Sequence, residues 1–198
     1  MPVYTRADNL ASVGTGFEPQ RQHNWALELN LPGDDGDYIT LSIASGFLPA
    51  GYNDELAIPY GNEVVYVAGK AMWDAGTIVL RDWIDRPTAK ILLDWRVQVY
   101  NPTTGAIGLA SDYKQDASII LFGPNVVDKS EAAVVGERVW TLHGAWPIRV
   151  SPAANGLDMS TSGQVMIEMV LRYDKATSNF INYLPVPRIS ISNAASAV

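Results

Sequence analysis

The sequence predicts a mostly β protein, a β-sandwich or barrel with one flanking α-helix and an extended segment at a sheet edge or in a free ribbon. Three observations lead to this class. Short runs of alternating apolar and polar residues are separated by Gly, Pro, Asn and Asp, which is typical of strands joined by turns. One run, residues 86–105, has helical spacing instead. One apolar stretch, residues 54–68, contains Pro59 and Gly61, which make it unsuitable as a central strand.

The first two strands are predicted to form a hairpin. Apolar and polar residues alternate over 24–31 and again over 38–45, and the intervening "PGDDGD" at 32–37 is rich in residues that tolerate the positive φ of a tight turn. The predicted apolar face consists of Trp25, Leu27, Leu29, Leu31, Ile39, Leu41 and Ile43. The predicted polar face carries Glu28, Asn30, Thr40 and Ser42.

The next segment is predicted to be a ribbon of two strands. Residues 55–60 form a short extended piece that Pro59 restricts to a sheet edge or a free ribbon, because proline cannot donate a ladder hydrogen bond. A strand over 64–67 follows, with a break at Gly69 and a turn at 74–76 before a further strand. The apolar side chains of this ribbon either pack on the chain's own core or on a neighbouring molecule, and both alternatives stay open at this point.

Residues 86–105 are the best helix candidate. Pro87 suits the first turn, and "NPTTG" at 101–105 ends the helix, because residues before proline avoid helical dihedrals. The residues at helical spacing are Ile91, Leu92, Trp95 and Val99. A strand over 95–100 is the alternative. Further strands are predicted at 117–123, 138–146 and 164–173.

Length and composition predict one domain. The 198 residues divide into an N-terminal arm (1–22), a β-domain (23–176) and a C-terminal extension (177–198). The net charge of −7 argues against a conventional nucleic-acid binder, which needs Lys and Arg to displace counterions from phosphates. The absence of cysteine excludes disulfides and thiolate metal sites. No membrane span and no signal peptide are predicted, so synthesis inside the cell is expected.

No catalytic or metal-binding constellation is predicted, and we expect a protein that is not an enzyme and has no cofactor. His23 and His143 are far apart, and a histidine inside a strand is more often a hydrogen-bonded structural residue. "DDGD" at 34–37 faintly resembles a calcium loop, but the position of the required glutamate holds Ser45. Asp82 and Asp85 flank Trp83 and could act as acid and base. Asp85, directly before "RPT", also fits capping of the helix.

The order of several motifs resembles the tail tube proteins of contractile-tailed bacteriophages, over residues 24–175. A Leu-Pro loop, an Ile-Pro-Tyr segment, the helix with its tryptophan, an Asn-Pro turn and a Gly-Ala-Trp-Pro follow one another as in that family. The matching runs are "FLPAGYNDELAIPYGNEVVYVAGKAMWDAGTIVLRDWIDRP", "LLDWRVQVYNPTTG", "YKQDASIIL", "LHGAWPIRVSP" and "LDMSTSGQVMIEMVLRYD".

The resemblance implies a structural virion protein with an extended oligomerisation loop or hairpin. Such subunits form stacked hexameric rings, and the lumen conducts double-stranded DNA during ejection without sequence-specific binding. The implied partners are further copies of the chain, the sheath protein, and the baseplate and tail terminator proteins. The implied location is the virion tail, assembled in the host bacterial cytoplasm.

The resemblance also assigns residues. The segment 47–73 matches the element that reaches neighbouring subunits, so its apolar residues are the candidate subunit interface: Leu48, Pro49, Leu56, Ile58, Pro59, Tyr60, Val65, Val67 and Trp73. The candidate lumen-facing residues are Glu28, Asn30, Thr40 and Ser42. A solvated outer face is the alternative for this second set.

Two other functions are carried forward. The same architecture could serve as the inner tube subunit of a type VI secretion system or an extracellular contractile injection system. A β-sandwich glycan-binding module or glycan-active enzyme is the further alternative, with sugar platforms and acids supplied by Trp73, Trp83, Trp140, Trp146, Asp82 and Asp85.

Overall fold

The computed structural model describes residues 20–31, 36–122, 138–160 and 162–181, and these residues are mostly β, as predicted. Residues 32–35 of the predicted turn, most of the N-terminal arm and most of the C-terminal extension lie outside the described residues, whereas residues 36 and 37 belong to the first helix. The elements are β1 (Trp25–Leu29), α1 (Gly36–Ser42), β2 (Ile43–Ser45), β3 (Gly51–Tyr60), β4 (Glu63–Trp73), β5 (Gly76–Arg81), α2 (Thr88–Val99), α3 (Ala110–Tyr113), β6 (Gln115–Leu121), β7 (Arg138–Ser151), β8 (Met166–Arg172) and β9 (Lys175–Ser178).

Seven strands form one curled antiparallel sheet, a half-barrel. Its order is β1-β6-β7-β8-β5-β2, and β9 also pairs with β7. Strand β7 joins the two halves of this sheet, because its first part pairs with β6 and β9 and its second part pairs with β8. The predicted domain boundary at residue 176 falls inside β9, and Ala176 and Ser178 are both buried.

The hydrophobic core lies against one side of the half-barrel. Alternate residues of the strands are buried in this core, as expected for strands with one face against it. The strands predicted at 117–123, 138–146 and 164–173 are confirmed as β6, β7 and β8, and β7 is longer than predicted. The strand residues most deeply buried in the core are Leu27, Ile78, Leu80, Ile119, Leu142, Ile167, Met169 and Leu171.

The prediction of a hairpin over 24–45 is wrong. Strand β1 pairs with β6 instead, and residues 36–42 form the helix α1. The alternation in "YITLSIAS" fits a strand, but the helix places Ile39 and Ser42, three residues apart, on the same buried side and leaves Leu41 78% exposed. The Thr40 hydroxyl donates a hydrogen bond of 2.9 Å to the Leu27 carbonyl oxygen, which ties α1 to β1.

The helix predicted within 86–105 is confirmed as α2, and the strand alternative over 95–100 is wrong. Its buried side contains Thr88, Leu92, Trp95 and Val99. The Trp95 indole N–H donates to the Tyr113 carbonyl oxygen at 2.8 Å, so α3 and α2 are joined. The capping carboxylate is Asp82 instead of Asp85, since the Ala89 backbone N–H donates to Asp82 Oδ1 at 3.2 Å.

Candidate subunit interface

Strands β3 and β4 form a ribbon that extends from the half-barrel. Among the described strands they pair only with each other, and every residue from Gly51 to Met72 is exposed. The prediction that Pro59 confines this segment to an edge or a free ribbon is therefore confirmed. A two-stranded ribbon is marginally stable in water by itself, so this element needs additional contacts to keep one conformation.

The turn of the ribbon is formed by Gly61 and Asn62, between the paired residues Tyr60 and Glu63. Gly61 has φ of 62°, and none of the described non-glycine residues, Asn62 included, has positive φ. Positive φ at only the first central position is the mark of a type II′ turn, whose twist matches that of the flanking strands. The two strands can therefore continue to their ends without splaying.

The predicted break at Gly69 is a β-bulge, and β4 continues through it to Trp73. The register shifts between Asn53 and Glu55, so that the bulge lies opposite Asp54. A Cβ at position 69 would lie 2.9 Å from the Asp54 carbonyl oxygen, and this close approach requires glycine. The bulge separates the root of the ribbon from its distal part.

The root of the ribbon is fixed by an aromatic cluster. The rings of Trp73 and Phe47 both contact Tyr173, with centroids 6.0 and 6.1 Å away respectively. Tyr173 is 2% exposed, and burial raises the pKa of its hydroxyl, opposed in part by the backbone of Ala50. Gly51, paired with Trp73, leaves room for the indole ring, since its Cβ would lie 3.0 Å from that ring.

The two faces of the ribbon carry different apolar side chains. Because successive residues of a strand point to opposite sides, the cross-strand pairs Leu56–Val67 and Ile58–Val65 share one face. We call this the aliphatic face; its apolar residues are Leu56, Ile58, Tyr60, Val65 and Val67, and Glu63, the partner of Tyr60, lies on it beside the turn. The pairs Ala57–Tyr66 and Pro59–Val64 share the other. We call this the tyrosine–proline face; its distal residues are Ala57, Pro59, Val64 and Tyr66, and the pair Glu55–Ala68 lies on it towards the root.

The structure brings five of the predicted interface residues together on the aliphatic face: Leu56, Ile58, Tyr60, Val65 and Val67. Pro59 lies on the opposite face, and Trp73 lies half-buried in the root. Leu48 and Pro49 precede the ribbon, and Leu48, 53% exposed, borders an apolar groove that Trp25, Phe47 and Leu121 also line.

The sequence prediction missed Val64 and Tyr66, which are 49% and 65% exposed on the tyrosine–proline face. Their signal was present in the sequence, because they alternate with Val65 and Val67 in one uninterrupted apolar run. Such a run is typical of a strand that is buried on both sides.

The predicted lumen-facing residues differ in their exposure. Asn30 is exposed and Glu28 half-buried at the β1 edge of the sheet, while Thr40 is half-buried on α1. Ser42 is fully buried, and its hydroxyl accepts a hydrogen bond of 3.1 Å from the Trp83 indole N–H. The prediction of an exposed Ser42 is wrong because residue 42 belongs to a helix, whose inner side includes it.

The polar residues considered for chemistry have structural contacts. His143 Nε2 lies 3.0 Å from the Thr177 hydroxyl, which fits the prediction of a hydrogen-bonded structural histidine. Asp82 caps α2, and Trp83 contacts Ser42. Trp140 and Trp146 pack edge-on against Phe180 and Tyr113 respectively.

The described ranges contain neither a candidate metal cluster nor a helix that could cross a membrane. No group of histidine and acidic side chains there could hold a metal ion. None of the helices in that part of the chain combines the length and hydrophobicity needed to cross a bilayer.

Comparison with solved structures identifies similar folds. A chain of the tube-terminating cap of the anti-feeding prophage superposes with a TM-score of 0.58 and 15% identity, over 81% of this chain and 91% of that chain. A chain of the sheath/tube terminator of the extracellular contractile injection system PVC, in its extended state, gives 0.59 and 14%, over 83% and 99%. The chain shares their fold.

A third similar chain comes from the sheath–tube complex of the same PVC system in the extended state. Its TM-score is 0.55 at 15% identity, with 88% of this chain and 97% of that chain covered. No protein-family model matches the sequence, and no curated protein matches it. At these identities the likeness establishes the fold, a β-rich half-barrel found in assemblies that contain or terminate a tube.

Proposed function

We propose that the protein is a structural subunit of the tube of a contractile tail, assembled from copies of itself into stacked hexameric rings. The observation that carries this proposal is the exposed β3–β4 ribbon. Its aliphatic face holds branched side chains that stay in water in the free chain, with Leu56 57% and Val65 51% exposed. Large exposed apolar surfaces on a soluble chain mark interaction sites.

The fold supports the same proposal. Chains with this half-barrel occur in a tube-terminating cap, a sheath/tube terminator and a sheath–tube complex. Accordingly, the proposed partners are further copies of the chain, a sheath protein, and baseplate and terminator proteins. The protein acts through these contacts and not as an enzyme.

The proposed cargo of the tube is double-stranded DNA, in a phage virion. The chain's net charge of −7 supports this part of the proposal, because a wall of like charge would not retain passing DNA. Glu28, Asn30 and Thr40 remain the candidate lumen residues, whereas the buried Ser42 is removed from the set. The repulsion would act within about 8 Å of the wall at physiological salt.

The second candidate is a tube or terminator subunit of an injection system with protein cargo. The specific observation in its favour is that the three similar chains described above come from the anti-feeding prophage and PVC assemblies. The genes beside the coding sequence separate the two candidates, since capsid and terminase genes accompany a phage tail.

Electron microscopy of the purified chain, combined with sedimentation velocity over a concentration series, tests the proposal. A tube subunit is expected to form rings that stack into rods, whereas a terminator stops at a single ring. A chain that stays monomeric at every protein and salt concentration would contradict both. A glycan-array screen covers the remaining alternative, and binding that Trp83→Ala abolishes would favour it.

A further inference from the structure

The two faces of the ribbon lead to an inference about how it docks, which rests on the self-assembly proposed above. A ribbon that lies on one partner needs one apolar face and one polar face. Here the distal part of both faces is mostly apolar, with one glutamate at the margin of each: Val65 on the aliphatic face is 51% exposed, and Val64 on the tyrosine–proline face is 49% exposed. We propose that the ribbon is inserted between two neighbouring copies of this chain and is covered on both faces.

The size of the ribbon supports insertion. Strand β3 has ten residues. At a rise of about 3.3 Å per residue and a width of about 10 Å for two strands, each face offers about 300 Å². A stable interface needs about 800 Å² from each partner, so contact through one face falls well short. Covering both faces doubles the contribution of the ribbon and hides the whole of its apolar surface.

The two faces of the ribbon differ in shape. The aliphatic face is a compact layer of branched side chains, Leu56, Ile58, Val65 and Val67, that packs best against another apolar sheet or helix. The tyrosine–proline face is less regular, since Tyr66 stands opposite the small Ala57 and is 65% exposed. Tyrosine is favoured at interfaces because its ring packs and its hydroxyl accepts or donates a hydrogen bond. We therefore assign the two faces to different segments of the neighbouring copies.

Val64 and Val65 allow a matched test. They are the same residue type, adjacent in sequence and nearly equally exposed, yet they lie on opposite faces. The chain has no cysteine, so Val64→Cys and Val65→Cys each introduce one thiol, and the natural chain is the unlabelled blank. Maleimide labelling rates would be measured on the free chain and on the assembled form, after sedimentation has shown that each variant assembles.

Insertion predicts that both thiols label fast in the free chain and at least about tenfold more slowly in the assembly. Protection of only one of them overturns the inference and leaves the proposed function intact. Protection of neither overturns both the inference and the role of the ribbon as the interface, and a natural chain that never assembles overturns the proposed function itself. If a valine variant fails to assemble, Tyr66→Cys and Val67→Cys form a second pair on the same two faces.

Crosslinking identifies the occupants. A benzophenone maleimide on each thiol, followed by mass spectrometry of the irradiated assembly, is expected to give crosslinks between copies, to different segments for positions 64 and 65. Crosslinks from both positions to one common segment, or to the half-barrel of the same chain, would overturn the inference.

Discussion

The substitution Ile58→Asp separates assembly from folding. Ile58 is 43% exposed in the free chain, and its cross-strand neighbour Val65 is exposed too. Complete burial of an isoleucine contributes about 1.5–3 kcal/mol, so covering the remaining exposed part contributes about 1 kcal/mol per interface. An unpaired carboxylate at the same place adds a desolvation cost of several kcal/mol. We expect a total loss of at least about 3 kcal/mol per contact, which is about 100-fold in affinity.

Folding of the half-barrel should hardly change, because the ribbon lies outside its core. We expect the melting temperature of the Ile58→Asp monomer to stay within about 2 °C of the natural chain. Sedimentation velocity over a concentration series measures the assembly, and tryptophan fluorescence during heating measures the folding.

Two matched variants serve as controls for Ile58→Asp. Ile58→Val keeps an apolar side chain and should assemble nearly as the natural chain does. Ile78→Asp places the same charge at a core position that is 0% exposed and should prevent folding. The reasoning is refuted if Ile58→Asp melts as early as a core variant, or if it forms rings and rods at the natural concentration.

Three further predictions concern the half-barrel. Asp82→Ala should lower stability by about 1 kcal/mol, because it removes the acceptor for the Ala89 N–H, whereas Asp85→Ala should change little; chemical denaturation that ranks them the other way would contradict this. Gly144→Ala should lower the free energy of unfolding by about 1–3 kcal/mol, since Gly144 has φ of 63° and a Cβ there would lie 2.6 Å from Asp174 Oδ2. Gly163→Ala, where a Cβ would meet open space, is the control, and equal denaturation midpoints for the two variants would contradict the prediction. Burial raises the pKa of Tyr173, so the folded chain holds the hydroxyl proton more tightly than the unfolded chain. The resulting contribution to stability is complete below about pH 10 and is lost as the pH rises through the folded-state pKa. If melting curves show the same alkaline decline in stability for Tyr173→Phe, Tyr173 is not its cause.

Periodicity was enough to predict the sheet strands and α2. In β8, Ile167, Met169 and Leu171 alternate with half-buried neighbours, and this pattern has only one interpretation. The apolar pattern over 38–45 fits two interpretations, a strand and a helix. Ile39 and Ile43 are two steps of a strand pattern and also one turn of a helix apart, so the local sequence cannot choose between them. The choice is made by tertiary contacts, namely the burial of Ile39 and Ser42.

The candidate interface could be predicted in part. Pro59 and Gly61 indicated that residues 54–68 do not belong to a core strand, and the resemblance assigned Ile58 and Val65 to one candidate interface. Of the opposite face only Pro59 was predicted, because the apolar run that contains Val64 and Tyr66 fits burial inside the chain equally well. Likewise Asp82 is seven residues from Ala89 in sequence, and only the fold brings its carboxylate to the helix end.

The aromatic cluster of Phe47, Trp73 and Tyr173 has a mechanical consequence. Tyr173 lies between β8 and β9, where the partners of β7 change, so the three rings connect the ribbon to the bend of the sheet. Tension applied to the ribbon is therefore transmitted through the Trp73 ring to that bend. In the proposed assembly, subunits connected in this way would share load as a continuous mesh.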